Sequence, residues 1–342
     1  MRWSGYEKGV NLGGWLSQCN HTKERYDNFI TKEDIARLST WGIDHVRIPV
    51  DYNLVEDKEG NYVESGFVYL QNAIDWCGEY GLNMILDLHK TAGYSFDKGE
   101  EESGFFDDEK YQERFYHLWE ELARRYSQYE ERLAFELLNE VTDKSYCEKW
   151  NAIADTCIKR IRKIAPTIKI LVGGYWNNSV DAVKDLALPQ DENIVYNFHC
   201  YAPLLFTHQG ASWIDGMPKD FHYAFAHTYR EYDEKTKEIL PFLGDGFRIL
   251  DDEDKTLDGE YFCRLFAEAV SVAEERNVAL YCGEYGVINR VNLDDTLAWY
   301  QAIHTAFEKY GIGHAAWSYK EMDFGLSDEH MAGIFEKIKT LL

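Results

Sequence analysis

Two glutamates stand at the ends of apolar runs: Glu140 closes Leu133–Glu140, and Glu284 lies near the end of Ala279–Gly286. Other such runs end in groups able to ionise, hydrogen-bond or stack. These are Arg47, the pair Asp87 and His89, Asn139 beside Glu140, the pair His199 and Tyr201, and Trp317. A lone charged residue at a strand end needs no explanation beyond solvent. A whole set at the same end of successive runs points to a shared site, because burying such groups is costly without partners. Two carboxylates in that position suit displacement at a sugar. One protonates the departing glycosidic oxygen, and the other attacks the anomeric carbon to form a glycosyl-enzyme that water then hydrolyses.

The two roles need opposite protonation states. Glu284 must start ionised, and Arg47 and the Tyr201 hydroxyl are candidates to hold it so. Glu140 must start protonated. The charge on Glu284 would keep it so until glycosylation removes that charge and lets Glu140 act as a base. Asn139 is suited to binding a sugar 2-hydroxyl. Trp15, Trp176, Phe206 and Trp213 are candidate platforms for the flat apolar faces of sugars, and core packing is the alternative for each.

The runs that must position these groups are Gly9–Gly14, His45–Val50, Asn83–His89, Leu133–Glu140, Ile168–Gly174, Ile194–Tyr201, Ala279–Gly286 and Ala315–Tyr319. Near-continuous apolar runs suit parallel strands covered on both faces. Helical patterns lie between them; Asp108–Tyr129 places Tyr111, Phe115, Trp119, Leu122 and Tyr126 at spacings of three and four. Thr31 ahead of Lys32-Glu33-Asp34 reads as a helix N-cap. Eight strands alternating with helices predict an α/β fold, a single (β/α)8 TIM barrel over 1–342, whose catalytic groups come from the C-terminal strand ends. The spacing after the sixth strand predicts a loop insertion over roughly 203–258, shaping the active site or offering a surface for self-association into a homo-oligomer.

Alternation within strands adds detail. His199 and Tyr201 should share one face and Cys200 the other, while Asp87 and His89 share a face. Cys77-Gly78-Glu79-Tyr80-Gly81 repeats as Cys282-Gly283-Glu284-Tyr285-Gly286. The first copy ends a helical pattern, so Glu79 is expected to be solvated; the second ends a strand.

Of the 342 residues, 36 are basic and 60 acidic, a net charge of −24. That field repels phosphate backbones and anionic lipid, which argues against nucleic-acid and membrane partners but not against a neutral sugar. The seven cysteines include no Cys-x-x-Cys pair, so no zinc or redox site is expected, and no Gly-x-Gly-x-x-Gly follows the first strand. The start of the chain has no apolar leader, which predicts a cytoplasmic location, or a secreted one if a leader has been removed.

On these motifs the chain resembles glycoside hydrolase family 5, from Gly9-Val10-Asn11-Leu12-Gly13-Gly14-Trp15-Leu16 through to Trp317. The family's active-site set of Arg, His, Asn-Glu, His-x-Tyr, Glu and Trp falls on Arg47, His89, Asn139, Glu140, His199, Tyr201, Glu284 and Trp317. The resemblance implies retaining hydrolysis of β-glycosidic links with neither metal nor organic cofactor, on a β-glucan or β-gluco-oligosaccharide. Both bacterial endoglucanases and yeast-type exo-β-1,3-glucanases are similar to it. Many cellulase members carry a second His after the strand-three His, where this chain has Lys90. With the expected insertion, that favours an exo-β-1,3-glucanase releasing glucose, with an endo-β-1,4-glucanase as the alternative. A transglycosylase and a non-catalytic carbohydrate-binding barrel are further readings.

Overall fold

The computed structural model describes residues 2–97, 99–100, 102–244 and 252–342. Eight parallel strands close into a barrel in sequence order: β1 Lys8–Asn11, β2 His45–Asp51, β3 Asn83–Lys90, β4 Leu133–Glu136, β5 Lys169–Val172, β6 Ile194–Cys200, β7 Ala279–Tyr285 and β8 Gly313–Ala316. The last strand pairs with the first, so no sheet edge is left open. Helices between the strands cover the outside, as the apolar runs require.

The barrel interior is layered. Its lower part is a small apolar cluster of Ile85, Ala134, Leu171, Val195, Tyr281 and Ala315. Trp3, stacked on Tyr6 with ring centroids 3.9 Å apart, packs against this cluster. The next layer is polar: Asn11 is in register with Arg47, and Asp87 with Glu136. An apolar plug under a polar layer leaves charged groups only one direction in which to act, toward the C-terminal rim.

The expected helices form with the capping chemistry the sequence carries. Asp108 accepts from the Lys110 N–H at 2.9 Å and opens the helix Glu109–Tyr126, which buries Phe115, Trp119, Leu122 and Tyr126. Asp34 reaches back to the Thr31 N–H at 2.9 Å at the start of Lys32–Leu38.

Strand ends differ from the expectation where it matters most. β4 stops at Glu136, four residues before Glu140. The chain then bonds alternately to its two neighbours, Leu137 N to Leu171 O at 3.2 Å and Asn139 N to Leu88 O at 3.0 Å. It remains wedged between β3 and β5 while ladder pairing ends, which lifts Glu140 to the rim. β8 likewise ends at Ala316, and Trp317 follows it, tied by its N–H to Tyr285 O at 2.8 Å.

Of the insertion expected at roughly 203–258, residues 245–251 lie outside the described residues. The remainder includes helices Leu204–Thr207 and Tyr229–Ile239, the second capped by Thr228 and Glu231. It is not merely a superficial loop, since Leu205, Phe206, Tyr229 and Tyr232 are buried in the main core. Among the described residues no helix is long and apolar enough to cross a membrane. All seven cysteines are free thiols, five of them buried.

Candidate active site

Arg47 is the centre of the site. It is fully buried and spreads its guanidinium over five partners. Nε and Nη2 hold the two oxygens of Glu136 at 2.7 and 2.8 Å, Nη2 also meets Asn139 Oδ1 at 2.9 Å and Asp87 Oδ2 at 3.0 Å, and Nη1 meets Asn11 Oδ1 at 2.9 Å and Glu284 Oε1 at 2.8 Å. Burial opposes its charge, but Asp87, Glu136 and Glu284 outweigh that and hold its pKa above the ordinary arginine value. Burial pushes the Asp87 carboxyl up to about 7 and raises that of Glu136, because one cation does not neutralise every carboxylate around it.

Glu284 accepts on both oxygens, from Arg47 at 2.8 Å and from the Tyr201 hydroxyl at 2.9 Å. These are bonds that a carboxylate accepts. The β6–β7 register shifts between Phe198 and His199, so that His199 pairs with Glu284. His199 and Tyr201 both face Glu284, while Cys200 turns into the core, as alternation requires.

Glu140 stands opposite. Its Oε1 is 2.8 Å from His199 Nδ1, and its Oε2 accepts from Asn177 Nδ2 at 2.7 Å. Burial pushes its carboxyl up to about 7, with the Asn177 bond pulling the other way. His199 Nδ1 also lies 3.6 Å from Glu284 Oε2. Burial lowers this imidazole to about 4, so it is neutral near pH 7. With carboxylates on the Nδ1 side, the N–H is assigned there. One oxygen from each glutamate and the His199 nitrogen lie within 4.8 Å of one another, the one grouping among the described residues compact enough to receive a metal ion. In a two-carboxylate displacement the oxygens of the two carboxyl groups make and break the bonds themselves. Oxygens this close are on the side of the short separation of retaining enzymes, roughly 5–5.5 Å, and not of the wider gap that admits a water between inverting carboxylates.

His89 and Trp317 lie with their rings nearly parallel, at 3° and 5.9 Å apart. Asp87 orients His89 through Nδ1 at 2.5 Å. Gly13 lets Trp317 lie close: a Cβ there would stand 2.8 Å from the ring.

The eight residues expected in the site therefore come together. Two of the four candidate platforms do not. Trp15 is fully buried, stacked on Trp76 with its N–H on Tyr26 O, and Phe206 is fully buried against Phe225; both are core residues with no face open to a sugar. Trp176 and Trp213 are exposed, at 52% and 41%. Trp176 adjoins Asn177, the partner of Glu140. Trp213 reaches the site through His208, whose ring meets Tyr201 at 5.0 Å.

Sequence reasoning missed Glu136, Asn11, Asn197 and Asn177. Asn197 donates to Glu136 Oε1 at 2.8 Å and accepts from Gly283 N at 2.9 Å, while Asn11 donates to Gly283 O at 2.8 Å. Gly283 is thus held at both its N–H and its carbonyl, which sets the backbone from which Glu284 projects. The signal was available for three of the four. A polar residue inside an apolar strand, as in Ala134-Phe135-Glu136-Leu137, must find a buried partner. Asn177 lies in a loop and carries no such mark.

A closed parallel barrel whose rim holds two carboxylates this close, one on an Arg and a Tyr and the other on a neutral His, is that of a retaining glycoside hydrolase. The chain belongs to the cellulase family, glycosyl hydrolase family 5, whose model matches residues 4–323. It is 49% identical over 308 residues to cellodextrinase A of Ruminococcus flavefaciens, covering 90% of this chain and 84% of that one. It is 36% identical over 341 residues to endoglucanase C of Acetivibrio thermocellus, covering 98% of each. Among solved structures, the cellulose synthase subunit Z of Clostridioides difficile superposes with a TM-score of 0.77 at 25% identity, over 98% of this chain and 99% of that one.

Proposed function

We propose that this enzyme hydrolyses β-1,4-linked gluco-oligosaccharides by double displacement, with Glu284 as nucleophile and Glu140 as general acid/base. The observation that carries the mechanism is the approach of the two carboxylates to within 4.8 Å in unlike surroundings. Glu284 attacks C1 while the Glu140 proton passes to the glycosidic oxygen. Water then attacks C1, its proton goes to Glu140, and Glu284 leaves as a carboxylate. Asn139 fits the sugar 2-hydroxyl: Arg47 occupies its Oδ1, and its buried Nδ2 has no partner among the described residues. His89 and Trp317 would bound the sugar at the cleaved bond, and Trp176 and Trp213 would offer faces to sugars further out.

The linkage reading departs from the exo-β-1,3 expectation. Relatives named as a cellodextrinase and an endoglucanase support β-1,4 links. The weight placed on Lys90 also falls away, because its ammonium is held by Asp97 at 2.9 Å and Glu100 at 2.5 Å. It serves an ion-pair network with these carboxylates.

The test is a product time course on cellopentaose, carboxymethylcellulose, mixed-link glucan and laminarin, with Glu284→Gln alongside. Short cello-oligosaccharides from cellopentaose, untouched laminarin and an inert variant are expected. Glucose from laminarin with cellopentaose intact would overturn the linkage, and an active Glu284→Gln would overturn the nucleophile.

A further inference from the structure

Glu140 stands where the barrel no longer holds the chain. Ladder pairing of β4 ends at Glu136, on Asp87 of β3 and Leu171 of β5. Beyond it, one side chain takes over. The Tyr94 hydroxyl donates to the Glu140 carbonyl at 2.7 Å and accepts from the Thr142 N–H at 2.9 Å. A single hydroxyl thus bridges the two peptide groups that flank Val141. On the far side, the left-handed turn at Trp176, Asn177 and Asn178 meets the same segment, with Asn177 N–H on Val141 O at 2.9 Å.

Tyr94 is itself fixed. It is buried, with its ring edge-on to Phe106 at 5.0 Å and tilted against Phe105 at 6.3 Å. Its backbone closes a tight turn: Tyr94 N–H donates to Thr91 O at 2.9 Å, and Thr91 N–H to Tyr94 O at 3.2 Å. Gly93 in that turn has φ 81°, and a Cβ there would stand 2.7 Å from the Tyr111 ring. The Gly93 N–H donates to Glu102 at 2.8 Å, and the Lys90 ammonium holds Asp97 and Glu100. The turn after β3 is therefore held at several points, and it carries one hydroxyl across to the segment after β4.

A buried phenol needs a hydrogen-bond partner. This one has two on the same short segment, one as acceptor and one as donor, so it fixes the direction of that segment as well as its place. General acid catalysis requires heavy atoms within hydrogen-bond reach, about 2.6–3.2 Å. Any drift of the Glu140 Cα carries the carboxyl with it. We propose that Tyr94 is a positioning residue for Glu140: its hydroxyl replaces the missing strand ladder and holds the backbone from which the acid/base reaches the glycosidic oxygen. This rests on the reading of Glu140 as acid/base.

The consequence is selective. Without the hydroxyl, bond cleavage that needs a proton from Glu140 slows, and cleavage that needs none does not. Dinitrophenolate departs unaided, because the anion is already stable; phenolate does not. Tyr94→Phe keeps the ring between Phe105 and Phe106 and removes only the hydroxyl. It would be compared with Phe105→Leu, which loosens the same packing and keeps the hydroxyl. The readout is kcat/KM on dinitrophenyl and phenyl cellobiosides, which share the sugar and differ in the leaving group. Tyr94→Phe should lose about tenfold on the phenyl substrate and stay within about twofold of the parent on the dinitrophenyl one. Phe105→Leu should change the two alike. Equal losses on both substrates in Tyr94→Phe, no loss on either, or the same selectivity in Phe105→Leu would overturn the proposal. Glu140→Ala separates the two readings. An even loss on both substrates there defeats the acid/base assignment itself. A loss confined to the phenyl substrate there, with no selectivity in Tyr94→Phe, defeats only the role of Tyr94.

Discussion

Arg47 and Glu136 meet edge to edge, Nε to Oε2 at 2.7 Å and Nη2 to Oε1 at 2.8 Å, and both side chains are fully buried. Paired forks of this kind fix direction as well as distance. The pair sets the plane of the guanidinium, whose remaining N–H groups then reach Glu284, Asn139 and Asn11. Glu136→Ala should therefore destabilise the fold by about 1–3 kcal/mol, since it leaves the buried Arg47 Nε–H without its acceptor while Asp87 and Glu284 still balance the charge. Glu136→Gln should cost less. Denaturant unfolding of both variants checks the order; equal stability to the parent would mean that Arg47 finds other partners.

The alkaline limb of kcat/KM should fall near pH 7. Burial pushes Glu140 up to about 7, and the acid form is the one that protonates the leaving group. Activity is then present below that value and lost as pH rises through it. A limb above pH 9 would assign the acid to another group.

The same shift has a consequence for stability. Glu140 has a higher pKa folded than unfolded, so its contribution is fully present below about pH 4 and is lost as pH rises toward 7. Glu140→Gln, which cannot ionise, should gain stability over the parent by about 1–3 kcal/mol at pH 8, with the difference shrinking toward pH 4. Melting curves at the two pH values read it, and a pH-independent difference would contradict it.

Two tryptophans that look alike in sequence should separate in experiment. Trp15→Ala removes a buried ring and should cost about 3–5 kcal/mol. Trp176→Ala removes an exposed ring and should leave stability within about 0.5 kcal/mol while raising KM several-fold for longer cello-oligosaccharides. Parallel melting curves and kinetics with cellotriose and cellopentaose distinguish them.

The barrel and its main site residues were legible in the sequence because both follow from local rules. Buried parallel strands must be apolar along their length, so polar residues at their ends stand out; Arg47, His89, Asn139, His199, Tyr201 and Glu284 were found in that way. The two copies of Cys-Gly-Glu-Tyr-Gly were separated on the same logic. Glu79 ends a helix, exposed and paired with Lys32 at 2.7 Å, while Glu284 lies in β7 on Arg47.

Tertiary structure alone decided what depends on distance between remote segments. Trp15 and Phe206 carry no sign of whether their rings face core or cleft, because neither sits in a pattern with a defined side. Glu136 reaches Arg47 across 89 positions of chain, and Asn177 reaches Glu140 from a loop whose left-handed turn has no periodicity to read. The protonation of Glu140 belongs here too. It depends on how much water and how many donors the closed barrel leaves around one carboxylate, which strand alternation does not encode.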